Sequence, residues 1–488
     1  FATGLPSKSH ATNFSKMSGK DDYDDSDGKP VAKSFSWMPA GCVPLADGEY
    51  DAIILGTGLT ECIISGLLSV NGKRVLHLDR NNYYGADTAS LSLVNLFKKF
   101  RDVEPSKGLG HSRDWNVDLV PKFIMACGKL VKILLHSKVT RYLEFKSIDG
   151  SYVFKDGKVQ KVPATPQEAL NSSLMGFFEK RKFRNFLIFL SNYDKEKPST
   201  YMKGKSLDKV TTRALYEEFG LDANTQAFTG HAMALHRDDD YLNEPAEATA
   251  EAIQLYVYSL ERYGKSPYIY PLYGLGGMPE GFSRLCAIHG GTFMLNKGVD
   301  EILLNKDGSA FGIKTDNEVA KAPIIVGDPS YFNPSKTRTT GKVARSICIL
   351  DHPIAGTDNA ESVQIIIPAS QVKRRNDIYV CMVSSTHNVS APGTYIAIVS
   401  TTVETTSPIK ELEPGFALLG NIVERFDAVS DLLEPVSSGE HDKCFISTSY
   451  DATSHFETTA NDVLSLYKRI TGQDLDMNIS ADMNDEDS

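Results

Sequence analysis

The 488-residue sequence predicts an α/β fold in which a large mixed domain is interrupted by a smaller all-helical one. Three observations predict it. A strand, a glycine-rich turn, an apolar helix and a second strand follow one another between Tyr50 and Asp79. Helical periodicity alone then runs from Pro166 to about Tyr263. Strand patterns return at Gly291 and continue to a final amphipathic helix.

In the first unit, Ala52–Leu55 is a short apolar run that predicts a buried strand, and Leu59–Val70 predicts a helix closed by Asn71 and Gly72. Arg74–Leu78 predicts the second strand, ending on Asp79. Such a unit opens a flavoprotein-like, FAD/NAD(P)-binding scaffold, where the helix N-terminus receives a pyrophosphate and the acid after the second strand holds a ribose. Here the fingerprint breaks, because Glu61 stands where the third glycine belongs. A carboxylate in the first helical turn competes for the free amides and repels phosphate. Gly56, Gly58, Glu61 and Asp79 therefore read as a vestigial dinucleotide motif, with no cofactor expected. Asp79 is a ribose ligand if the motif works and a loop or helix cap if it does not.

Trp115–Leu135 predicts an apolar helix after Pro121, and Phe145–Val153 with Lys158–Val162 predicts a hairpin through Asp156–Gly157. In the helical stretch, Leu174, Phe177, Phe178, Phe186, Leu187 and Leu190 recur at three- and four-residue steps. They oppose Glu179, Lys180, Arg181, Lys182 and Arg184. Leu207–Phe219 and Ala246–Arg262 are further helix candidates. Strands are expected at Gly291–Leu295, Phe311–Thr315 and Ile324–Val326, then as an antiparallel set at Val363–Ile367, Ile378–Val383 and Tyr395–Ser400. A helix is expected around Asp462–Ile470.

Residues 1–48, with the acidic run Asp21–Asp25, have no helix or strand period and predict a disordered leader, with order beginning at Tyr50. A first residue of Phe points to an incomplete or processed start, with a cleaved targeting sequence the weaker option. The predicted division is residues 49–165 and 265–475 for the large domain, 166–264 for the helical one, and 476–488 for a flexible acidic tail without a prenylation box.

Composition narrows the function. A net charge of −10 argues against a general nucleic-acid surface or a polybasic membrane anchor, while leaving room for a local basic patch. No apolar run reaches the length of a membrane span. The seven cysteines are scattered without a C-x-x-C pair, as expected of free thiols. His231 and His236 are five apart, too far for one helical face, and a packing role for His231 outweighs metal ligation. Neither a nucleophile-elbow motif nor a P-loop occurs.

Glu261–Arg284 concentrates tyrosines, an arginine, prolines and glycines, which suits a protein-recognition surface or, alternatively, a crossover loop packed at an interdomain joint.

From about Tyr50 to Ile470 the sequence closely resembles the Rab GDP-dissociation inhibitors, with the Rab escort proteins as nearest relatives. The resemblance rests on Ile54–Cys62, Asp79–Gly85, Arg113–Leu119, Arg262–Pro267 and Asp451–Thr459. It implies a GDI-like fold, a flavoprotein-like domain I with an inserted helical domain II, and no enzymatic activity. It further implies binding of prenylated, GDP-bound Rab GTPases and their geranylgeranyl groups, from a cytoplasmic pool in transient membrane contact. By resemblance, Tyr84, Arg284 and Met294 belong to a Rab-binding platform. Arg262, Tyr263, Tyr268 and Tyr270 belong to a mobile loop engaging membrane or receptor, and Leu174, Phe177, Phe178, Phe186, Leu187 and Leu190 to the region sheltering the prenyl group. One departure stands out. The family usually reads Gly-Leu-Gly-Glu-Leu-Pro where this chain has Gly274–Pro279, so Gly277 replaces a platform glutamate, for which Glu280 is a partial substitute. A Rab escort protein and, in a different class, a flavin-dependent oxidoreductase are the alternative readings.

Overall fold

The computed structural model describes residues 34–172 and 174–477. The acidic run Asp21–Asp25 and most of the proposed tail lie outside them.

The strand–helix–strand unit forms as expected. Ala52–Leu55 and Val75–Leu78 pair in parallel at the centre of a five-stranded sheet, with Leu59–Val70 as the connecting helix. Thr292–Met294 flanks one side, and Ile325–Gly327 and then Cys444–Ile446 complete the other. All these pairings are parallel, and the two central strands are fully buried, which explains the unbroken apolar run Ala52–Leu55 and a Val75–Leu78 strand whose one polar residue, His77, is buried against the Gly56 carbonyl.

Order begins earlier than Tyr50. Val43–Glu49 is a strand that pairs in parallel with Glu318–Lys321 at the edge of a four-stranded sheet, completed by Ala310–Thr315 and Glu301–Leu304. Its single inward anchor, Leu45, gives no period-2 signal strong enough to stand out from the polar leader.

A seven-stranded sheet carries the C-terminal half. Its order is Glu424–Pro435, Thr337–Leu350, Tyr395–Thr402, Ile378–Ser384, Val363–Ile367, Gly150–Lys155 and Lys158–Lys161. The three strands expected near 363–400 are antiparallel neighbours within it. The two longest strands escape the sequence pattern. Thr337–Leu350 and Glu424–Pro435 pair along most of their length, yet their outer halves are solvent-facing and polar, so they read as loop.

Two expected elements are revised. Phe145–Val153 is not one strand. Phe145–Ser147 joins Tyr268–Pro271 and Ile124–Met125 in a small antiparallel sheet, while Gly150–Lys155 crosses to the large one. The hairpin to Lys158–Lys161 does form, with Asp156 at φ 49° and Gly157 at φ 78°, the left-handed pair its two-residue turn requires. Trp115–Leu135 is helical only over Lys129–His136. Before it, Val117–Asp118 pairs with Ser90–Leu91, and Lys122 is drawn into a buried ion pair with Asp451 at 2.5 Å. Tertiary partners at Trp115, Asp118 and Lys122 outweigh the helical period.

Between Pro166 and Tyr263 the regular elements are helical, the longest being Phe177–Asn192 and Ala246–Tyr263. Phe186, Leu190, Tyr216, Phe228, Ile253 and Tyr256 are buried in the core these helices build. The expected helix at Leu207–Phe219 is shorter, Thr212–Glu218, with the Thr211 hydroxyl accepting the Ala214 N–H as its cap. The final helix runs Glu457–Thr471.

Candidate partner surface and a closed dinucleotide cleft

The glycine turn after Ala52–Leu55 is held by Asp79. Its carboxylate accepts the Thr57 N–H at 2.7 Å, the Thr57 hydroxyl at 2.5 Å and the Asn81 N–H at 2.7 Å. Asp79 is fully buried and acts as a loop clamp rather than a ribose ligand.

Glu61 fills the next position. It is almost wholly buried at the first turn of helix Leu59–Val70, where its carboxyl group accepts the Ser447 hydroxyl at 2.6 Å. Burial, followed by the neighbouring Asp328 carboxylate, raises its pKa to about 8. The two carboxyl groups close the turn from both sides: a Cβ on Gly58 would meet Glu61 Oε2 at 2.5 Å, and one on Gly56 would meet Asp328 Oδ2 at 2.6 Å. The adjoining cleft, about 390 Å³, is lined by Asp79, Asp87, Asp328 and Asp431 against Arg80 and Lys99. These residues do not fit a pyrophosphate. The space it needs holds acidic side chains, and the one that sits on the helix amides is Glu61.

A second hollow, about 990 Å³, opens beside it between Tyr84, Lys98, Tyr273, Gly277, Glu280 and Leu295. Its floor depends on helix Gly277–Ile288, which packs on helix Leu59–Val70 so closely that a Cβ on Gly66 would sit 3.1 Å from Phe282. Asp118 sets the start of that helix. It accepts the Leu275 N–H at 3.0 Å and the hydroxyls of Ser90 and Tyr270, while Ser90 in turn accepts the Gly276 N–H at 2.9 Å. Burial pushes the Asp118 pKa up to about 6 against these hydrogen bonds. Asp118 was not singled out by the sequence, although a lone acid inside an apolar stretch is the signal of such an anchor.

Of the expected platform residues, Tyr84 and Gly277 line this hollow, and Arg284 and Met294 do not. Tyr84 lies at its rim with its ring 6.1 Å from Phe293. Gly277 also lines it, with room for a side chain limited only by Leu143 Cδ2 at 3.3 Å from the Cβ position. Arg284, one turn beyond Glu280 on the same helix, is exposed with its guanidinium 4.6 Å above the Tyr142 ring. Met294 is half-buried beside Leu78, and its carbonyl accepts the Asp79 N–H at 3.0 Å.

Other expected site residues separate. Arg262 and Tyr263 are exposed at the end of helix Ala246–Tyr263, which Gly264 closes at φ 71°. Tyr268 and Tyr270 are not on a mobile loop with them. Both are buried in strand Tyr268–Pro271, so the tyrosine cluster is a packed joint from Ser266 to Pro271 and a surface only at its ends. Among the apolar residues of the helical region, Phe186 and Leu190 are buried, Leu174 is buried ahead of the helix, and Leu187 packs at the margin of the core. Phe177 and Phe178 face solvent instead, 83% and 78% exposed, because they open the helix in its first turn, ahead of the buried Phe186 and Leu190.

His231 lies in a π-helical turn, Phe228–Met233, with Nδ1 2.7 Å from Asp377 and Nε2 3.1 Å from Asp239. Burial works to lower its pKa, but the two carboxylates outweigh it and raise it to about 10. A charged imidazole does not ligate metal; His231 ties the helical region to the start of strand Ile378–Ser384. His236 stacks on Tyr241 at 4.0 Å. Among the described residues no group of three His, Cys, Asp or Glu side chains is arranged to hold a metal ion.

A model of the GDP dissociation inhibitor family matches residues 46–482. The chain belongs to the Rab GDP dissociation inhibitor family. It is 56% identical over 441 residues to the probable secretory pathway GDP dissociation inhibitor 1 of Schizosaccharomyces pombe, covering 90% of this chain and 100% of that protein. The crystal structure of the Rab GDI from Plasmodium falciparum is similar with a TM-score of 0.84 and 48% identity, over 88% of this chain and 99% of that one. An oxidoreductase from Methanosarcina mazei matches with a TM-score of 0.51 at 15% identity, over 86% of this chain and 100% of that one, a likeness of fold alone. Among the described residues no helix is long and apolar enough to cross a membrane.

Proposed function

We propose that this chain binds prenylated, GDP-bound Rab GTPases, slows their loss of GDP and draws them off membranes into a cytosolic complex. Its function is that of a Rab GDP dissociation inhibitor in vesicle traffic, and it is not an enzyme. The observation that carries the reading is the pair of adjoining cavities. The one that a flavoprotein would use has its glycine turn blocked by Glu61 and Asp328, while the larger one is edged by Tyr84, Gly277 and Glu280. The flavoprotein-like part of the chain, residues 49–165 and 265–475, serves as a docking scaffold.

The lipid sets the energetics. A geranylgeranyl chain of about 20 carbons gains on the order of 15 kcal/mol on leaving water, at roughly 0.8 kcal/mol for each buried carbon. The bilayer offers the same gain, so a soluble carrier has to supply an equally apolar site and add protein–protein contacts that tip the exchange. Residues 166–264 supply that site in this reading. Phe186 and Leu190 lie in a closed aromatic core, with Phe186 5.7 Å from Tyr216 and 5.5 Å from Phe219, so the helices have to part to admit the chain. Phe177 and Phe178 lie outside that core.

Selectivity for GDP is conformational. The γ-phosphate and its Mg²⁺ order a GTPase's switch segments, and these relax after hydrolysis. A platform built around Tyr84 and Arg284 that grips the relaxed switches binds the GDP state and holds its nucleotide.

The test is to incubate the protein with membranes bearing GDP- and GTP-loaded Rabs and to measure what is released. Selective release of the GDP form is the expected result; equal release of both, or none, rejects it. An escort role is disfavoured by the match to the whole length of a curated GDP dissociation inhibitor, and failure to retain geranylgeranyltransferase in a pull-down checks that point.

A further inference from the structure

Phe177 and Phe178 are the most exposed of the large apolar side chains among the described residues, and they touch each other edge to face at 5.7 Å. Adjacent exposed phenylalanines on an otherwise ordinary surface mark an interaction site. The helix they open is two-faced. Phe183, Phe186 and Leu190 turn inward, whereas Phe177, Arg181, Arg184 and Ile188 follow at steps of four, three and four along the outer face, all of them exposed.

The surroundings are basic. Lys155 Nζ donates to the Leu174 carbonyl at 2.8 Å, which brings the tip of the Gly150–Lys155/Lys158–Lys161 hairpin beside the start of the helix, with Lys158 exposed across the ladder. Within residues 155–158 and 177–184 the acids are Asp156 and Glu179, and Glu179 is engaged by Lys182 at 2.7 Å. The chain as a whole carries −10, so an anionic surface repels most of the molecule and attracts this edge.

We propose that the outer face of helix Phe177–Asn192, led by Phe177 and Phe178 and flanked by the Lys155–Lys158 turn, is a bilayer-contact edge that seats on anionic lipid. Aromatic rings at the acyl boundary with arginines at the headgroups are the pattern of an interfacial helix. The occupant is argued from charge and from continuity. On the functional reading above, on which this inference rests, a prenyl chain has to pass from bilayer to helical core without crossing water. The same helix presents Phe186 and Leu190 to that core on its inner side. An acidic protein partner would also meet the charge, and the test separates the two.

The experiment is flotation of the full chain, without any GTPase, on phosphatidylcholine vesicles with and without phosphatidylserine. The parent is expected to float with the phosphatidylserine vesicles. Phe177→Ser with Phe178→Ser lowers that partition by at least about tenfold, and Arg181→Gln with Arg184→Gln removes the preference for the anionic vesicle. In a Phe177→Trp variant, brominated acyl chains quench the added fluorescence. No flotation, equal flotation on both vesicles, or a partition unmoved by the phenylalanine changes overturns the proposal and leaves a protein partner. Titration of the parent with a soluble prenylated GDP-bound Rab runs alongside. Intact Rab binding with no flotation sinks this inference alone, while absent Rab binding sinks the functional reading whatever the vesicles do.

Discussion

The Ser447 hydroxyl donates to the Glu61 carboxyl group at 2.6 Å, joining helix Leu59–Val70 to the exit of strand Cys444–Ile446 across 386 residues of sequence. The position that receives a cofactor in related folds is here a structural tie. Its chemistry is measurable.

Glu61 has its pKa raised to about 8 in the folded chain, above the ordinary 4.5. The folded state therefore binds a proton that the unfolded chain has lost. Its stabilising effect is full below pH 4.5 and disappears as pH rises through about 8. Glu61→Gln keeps the shape without the titration. Urea unfolding is expected to show the variant gaining on the parent by at least about 1 kcal/mol between pH 5 and pH 8.5. Parallel stability curves would refute the assignment.

His231 gives a slope at higher pH. Its folded pKa is raised to about 10 from 6.5, so its pairing with Asp377 and Asp239 is fully present below 6.5 and lost as pH approaches 10. Replacement by Ala strands the fully buried Asp377 and is expected to cost about 3 kcal/mol or more near neutrality, with a smaller difference at pH 10. Chemical denaturation at the two pH values measures both.

Lys122 is fully buried and bonds Asp451 at 2.5 Å and the Thr453 carbonyl at 2.6 Å. Lys122→Ala takes the closest cation from the Asp451 carboxylate and leaves it Arg237 at 3.8 Å and the Thr453 hydroxyl, an expected loss of about 3 kcal/mol seen as a lowered urea midpoint. A loss below about 1 kcal/mol would mean that solvent reaches the pair.

On the proposed platform, Arg284→Ala is expected to weaken binding of a prenylated GDP-bound Rab by more than about tenfold, roughly 1.4 kcal/mol, with the fold unchanged. Gly277→Glu should move affinity the other way, by a few-fold to about tenfold, because the resemblance implies a glutamate contact at this position and Leu143 Cδ2, 3.3 Å from the Cβ position, is the one neighbour that has to give way. Fluorescence titration reads both, and an unchanged dissociation constant for Arg284→Ala removes that residue from the platform.

The first core strand was legible because a parallel strand buried on both faces is written as an unbroken apolar run, as at Ala52–Leu55. Thr337–Leu350 and Glu424–Pro435 were not, since their stability comes from pairing with each other and half of each faces water. The tyrosine-rich segment misled for a related reason. Tyr268 and Tyr270 carry the composition of a recognition surface, but backbone pairing on both sides of strand Tyr268–Pro271 buries them. Asp118 offered only its place as an acid in an apolar stretch, because two of its partners, Tyr270 and Leu275, lie more than a hundred positions away.

By itself, then, the sequence determined the strand–helix–strand start, the helical stretch from Pro166, the damaged glycine motif and the family, all of which are local patterns or continuous matches. Only the tertiary structure decided that Asp79 clamps a loop, that Glu61 and Asp328 share one cleft, and that Phe177 and Phe178 lie outside the core whose period they follow. Periodicity tells which side chains share a face, but whether that face meets protein or water depends on where the neighbouring elements stop.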